Sequence, residues 1–189
     1  MSLLTNPILI HLYRELQSHG SESKPDAFWQ TYLASQFPQS EGYALSCQWS
    51  PSDDDRERVD AAVREILGSD ENISSATLLL FAGPKHPGGN TNDAEDQLEK
   101  AARKHLDYNI GDSVYGMSGW EGKVRCWIIE RATAGCQHQM RPMFGPNEHG
   151  NEAAYADADS AEAFLISASI LYMKRQSTVW PQEYALSRQ

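Results

Sequence analysis

The chain has 189 residues, 26 acidic against 16 basic side chains and a net charge of −10, with 40% hydrophobic and 22% charged residues. That length can bury a real core without staples, and the composition excludes collagen-like, coiled-coil and generally disordered classes. A pI near 5.0 disfavours nucleic acid as a partner, because an acidic surface repels phosphate backbones and the densest basic run, Lys100 to Lys104, is interleaved with alanines.

Asn6 and Pro7 suit a cap and first helical position, and Leu9, Leu12, Tyr13 and Leu16 then repeat at helical spacing as far as Gly20. His11, Arg14 and Glu15 break up the apolar start before a signal-peptide core can form. After a polar linker, Pro25-Asp26 opens a second helix with the stripe Phe28, Trp29, Tyr32, Leu33 and Phe37, ended by Pro38. Residues 1–38 are thus expected to form a helical hairpin packed on the main domain.

Tyr43, Leu45, Cys47 and Trp49 alternate with more polar residues, the period of a half-buried strand. Ser52 and Asp55 resemble a capping box, with the Asp53-Asp54-Asp55 run at a helix start, and Val59, Ala62, Val63, Ile66 and Leu67 suit a helix that stops at Gly68. Residues 76–82 are apolar without alternation, which reads as a strand buried on both faces and is far short of the ~20 residues of a membrane helix. Strand, helix and strand in this order predict a right-handed parallel crossover.

The loop 83–90 leads to a helix capped by Asn92 and Glu95, with Ala94, Leu98, Ala101, Ala102 and His105 on one side. Three strands, 113–118, 123–132 and 136–143, are predicted to form an antiparallel meander through the turns 119–122 and 133–135. Residues 145–157 are polar and without period. Asp159 and Glu162 then cap a last helix to about Gln176, apolar on nearly every side and so expected to be buried, before a tail over 177–189. The expected fold is α+β: a mixed sheet of about five strands with one parallel βαβ crossover and a C-terminal meander, helices packed on it, in a single globular domain over 1–189.

Several groups are candidates for function. Loop 83–90 leaves a strand end and enters a helix N-terminus, where backbone donors favour anions; Lys85 adds charge and His86 a proton carrier. It lacks both glycine-rich nucleotide patterns, and Asp93, Glu95 and Asp96 compete with a bound anion. Arg125, Arg131 and Arg141 of the meander can bind a carboxylate or phosphate in a cleft, unless Glu130 and solvent satisfy them. Trp120, at a hairpin tip, suits a contact surface or a fold back over the sheet. Glu148 and His149, with His86, are the acid/base candidates, although adjacent side chains need not meet.

No metal and no cofactor is expected. Cys136 and His138 share a strand face, but Cys126 falls opposite roughly Arg141, and no C-x-x-C or H-E-x-x-H occurs. Three cysteines without paired spacing fit a reducing, cytoplasmic setting. With no nucleophile elbow, the leading expectation is a soluble interaction or small-ligand-binding module with a small molecule or protein as partner. The alternative is a small cofactor-independent enzyme acting on an anionic or aromatic small molecule by acid/base catalysis.

Overall fold

The computed structural model describes residues 2–19, 23–50, 58–67, 74–83, 89–109, 111–132 and 138–177. The first helix, α1 (Pro7–His19), starts where the Asn6 carboxamide accepts from the Leu9 amide at 3.0 Å. Its partner α2 (Ser23–Gln36) buries Phe28, Trp29, Tyr32 and Leu33, and Phe37 just beyond it. Phe28, Trp29 and Tyr32 meet edge to face, and burying each contributes roughly 2–3 kcal/mol. The hairpin is as its periodicity predicts.

Three strands follow: β1 (Tyr43–Trp49), β2 (Val59–Leu67) and β3 (Ser74–Ala82). They pair antiparallel in chain order. Helix α3 (Thr91–Tyr108) then carries the chain to β4 (Ser113–Trp120), which lies parallel to β3. Strands β5 (Lys123–Glu130) and β6 (Gln139–Pro142) complete an antiparallel meander. A short β7 (Ala156–Asp157) joins the free side of β5 at its start, and α4 (Ala163–Gln176) closes the described chain. The sheet is mixed and seven-stranded, in the order β1 to β6 with β7 beside β5, two strands more than expected.

Helices cover both faces. Phe28, Trp29 and Leu33 of α2, Leu9 of α1 and Ile166, Ile170 and Met173 of α4 pack on one face, against Val63, Phe81, Met117 and Cys126. On the other face Leu98, Ala101, Ala102 and Leu106 of α3 meet Ala62, Leu80, Val114 and Ile129. Gly116 admits the closest approach there: a Cβ would lie 2.7 Å from Leu98. Among the described residues no helix is long and apolar enough to cross a membrane.

Four sequence expectations need correction. Residues 59–67 are a strand, not a helix; the proposed cap at Ser52 and Asp55 lies outside the described residues. Val59, Ala61, Ala62 and Val63 are all buried because β2 sits between β1 and β3 under helices on both sides, so the two-residue alternation is lost. The parallel crossover is therefore β3–α3–β4. Second, α3 is capped two residues earlier, by a reciprocal Asn90–Asp93 capping box, which frees Glu95 to turn inward. Third, Gly119 and Trp120 belong to β4, so the hairpin turn is Glu121-Gly122 alone. Fourth, α4 is buried on one face only; Phe164, Leu171 and Tyr172 are 55%, 41% and 47% exposed. The expected tail lies, apart from Ser177, outside the described residues.

Candidate functional site

Among the described residues two places gather chemistry. The first is a polar network buried under the N-terminal half of α3. Between β6 and β7 the chain leaves the sheet edge and returns, and Arg125 of β5 fills the gap. Its guanidinium donates to the carbonyl of Glu148 at 2.7 Å and to that of Pro146, and stacks 4.3 Å from the Trp127 ring. Nη1 lies 3.7 Å from Glu95 Oε1, and both side chains are fully buried. Burial pulls the Arg125 pKa down, and the Glu95 charge opposes that shift.

Glu95 has its oxygens occupied. Oε1 accepts from the Tyr155 hydroxyl at 2.9 Å, and Oε2 accepts from the Gly150 amide at 2.6 Å. Ser118 Oγ sits 2.7 Å from the Tyr155 hydroxyl and accepts from Trp127 Nε1 at 2.9 Å. Burial, with Glu95 alongside, holds the Tyr155 phenol far above its ordinary pKa, so it stays a donor. Gly150, at φ 68, packs so tightly on Asn92 that a Cβ would overlap its side chain. Through these bonds the buried carboxylate anchors the loop after β6 to α3.

His149 stands at the rim of this network, 42% exposed at its side chain, with Nδ1 3.4 Å from Glu95 Oε2 and Nε2 3.9 Å from Asp96 Oδ1. Its ring is tilted against Trp127 at 6.5 Å. Among the described side chains of the group, the imidazole is thus the one that reaches both water and the buried carboxylate.

The second place is a groove of about 380 Å³ on the opposite face, between α4 and the β5–β6 edge. Leu165, Ala168, Ser169 and Tyr172 line one wall; their spacing places them on one helical face. Ile128 of β5 and Arg141 of β6 are directly paired across the strands, and Met143 and Phe144 complete the other wall. Beneath Ser169 lies Cys126, whose thiol burial pushes up to about 12, so it is a neutral core group. Tyr172 meets Tyr115 edge to face at 6.2 Å. Among the described residues Arg141 is the single charged lining residue, and it donates to Glu130 Oε2 through Nη2 at 2.7 Å and Nε at 3.2 Å.

A further open cleft, about 610 Å³, runs beside α1 and is lined by Leu4, Ile10, Tyr13 and Gln17 with Arg14 and Asp159. The Tyr13 hydroxyl donates to Asp157 there at 2.7 Å. It mixes both signs of charge and has no buried polar group aimed into it among the described residues.

The sequence candidates therefore separate. Arg125 belongs to the buried network and Arg141 to the groove. Arg131 donates to the carbonyls of Gly111 and Asn109, past the end of α3, so the three arginines share no cleft. Trp120 ends β4 half-buried, with the Lys123 ammonium 5.3 Å from its ring. Glu148 contributes its carbonyl to Arg125 and its carboxylate to Asn151, whereas the carboxylate that meets His149 is Glu95. Lys85, His86 and Cys136 lie outside the described residues. Cys126 stands opposite Met143, whose amide donates to its carbonyl, two positions beyond the expected Arg141. Among the described residues no three His, Cys, Asp or Glu side chains come together as a metal set.

Sequence reasoning missed Glu95, Tyr155, Ser118 and the whole α4 wall of the groove. One signal was legible: Glu95 lies on the inward stripe of α3 between Ala94 and Leu98, where a carboxylate must find a partner. Compared with known proteins, the chain matches no family model, no curated protein and no solved structure.

Proposed function

We propose that the protein is a small-ligand-binding module and that its site is the groove between α4 and the β5–β6 edge. The observation that carries this reading is the groove itself. Its volume of about 380 Å³ falls in the range of small-molecule sites, and its walls are apolar with a few placed polar groups. Both walls are anchored by packing or hydrogen bonds. One is a helix docked through Ile166, Ile170 and Met173, and the other is a strand pair whose following loop is held by Arg125 and Glu95. The exposed Phe164 and Leu171 of the same helix extend the apolar surface. An odd cysteine set, with Cys47 exposed and unpaired, supports the cytoplasmic setting expected from sequence.

The test is a titration of the full chain with octanol, an uncharged apolar probe, followed by amide chemical shifts. Saturable shifts are expected at Ile128, Met143, Leu165, Ala168 and Tyr172, and Ala168→Trp, which fills the groove from an exposed position, is expected to abolish them. Binding that is absent, or indifferent to Ala168→Trp in a folded variant, refutes the reading.

Acid/base catalysis is favoured by one observation, the half-exposed His149 imidazole on the buried Glu95 carboxylate. On that second reading, any turnover of an anionic or aromatic substrate falls by about 10²-fold or more in His149→Gln. Turnover that is unchanged in the variant removes His149.

A further inference from the structure

We infer that the groove selects a ligand with an anionic head on an apolar body, and that Glu130 occupies the head position until the ligand displaces it. The inference rests on the proposed function and adds the chemistry of the ligand and its competitor.

Among the described residues that line the groove, Arg141 alone is charged, and none is acidic. Pairing with Ile128 puts Arg141 on the α4 side of the sheet, and Glu130, two residues along β5, shares that face. The guanidinium therefore stands at the rim of an apolar trough, at the place where the head group of an amphiphile emerges into water. Arg141 presents a planar fork suited to a carboxylate. At present both bonds go to a single oxygen, Oε2 of Glu130.

That internal pair is weak enough to exchange. The side chains of Arg141 and Glu130 are 51% and 40% exposed, and ion pairs in such surroundings contribute little in water. A carboxylate tethered by an alkyl chain seated against Leu165, Ala168 and Phe144 arrives at high local concentration and gains apolar burial that Glu130 does not. The net charge of −10 opposes an approaching anion at long range, but at physiological salt fields are screened over about 8 Å, so the guanidinium dominates near contact.

The experiment compares octanoate with octanol on the full chain in 0.15 M salt, using wild type, Arg141→Gln and Glu130→Gln. Wild type is expected to bind octanoate about fivefold more tightly than octanol, and Arg141→Gln to bring the ratio to about one. Glu130→Gln is expected to tighten octanoate by about threefold and leave octanol within about twofold. Naphthoate against naphthol separates a fatty from an aromatic body; whichever acid binds more tightly identifies the class. Equal affinity for acid and alcohol in wild type, or a ratio that survives Arg141→Gln, overturns the inference while the apolar groove stands. Failure of every probe to bind overturns the proposed function itself.

Discussion

Arg125 shows how one buried residue can hold a loop whose sequence has no period. Residues 145–155 contain little regular structure, yet Pro146, Glu148 and Gly150 are each fixed through Arg125 or Glu95. Among the described residues, removing the cation leaves the Glu95 carboxylate buried with neutral donors only, apart from the partly exposed His149. Arg125→Met is therefore expected to destabilise the fold by about 3 kcal/mol or more, as for other broken buried pairs. Glu95→Gln should cost less in the Arg125→Met background than in wild type, because the charge it removes is then a liability. Urea unfolding of the four proteins checks this, and additive effects would show that the two side chains do not act together.

At the scale of elements, α3 docks on the sheet through its small and apolar stripe and, near its end, through His105. The ring meets Trp49 of β1 edge to face at 5.6 Å and is 8% exposed. Burial, with the positive charge of Arg131 nearby, pushes its pKa down to about 4. The folded state thus resists a proton that the unfolded chain accepts near pH 6.5. Stability from this site is complete above that value and is lost as pH falls towards 4, with a loss on the order of 2 kcal/mol by pH 5. Wild type should lose about that much more than His105→Leu between pH 7 and pH 5 in urea titrations. An equal loss in both would contradict the burial argument.

The same elements show what the sequence made legible. Helices α1, α2 and α3 and strands β1, β3, β4 and β5 announce themselves through period and flanking turn residues, because each has distinct inner and outer faces or clear punctuation. Strand β2 does not. Covered on both sides and rich in alanine, residues 59–67 satisfy a helical template as well as a strand, and tertiary packing decides. The groove was half legible: Arg141 could be singled out on a strand, but its counterpart on α4 was hidden by a helix apolar all round, whose exposed side no periodicity could choose. Glu95 was legible as a helix-start carboxylate and hidden as a core one, since the cap falls at Asn90.

Taken as a whole, the molecule places its two chemical features on opposite faces of one sheet. The α3 face is closed around a buried polar network, and the α4 face is open as an apolar trough with, among the described residues, one cation at its rim. This division assigns structure-holding to one side and binding to the other. The most direct test is to record intermolecular nuclear Overhauser effects between octanoate and the full chain at saturation. Contacts from the alkyl protons to the methyls of Ile128, Met143 and Leu165, and to the Tyr172 ring, are the predicted result. Contacts confined to the α1 cleft at Tyr13 and Ile10, or none to α4, would contradict the account.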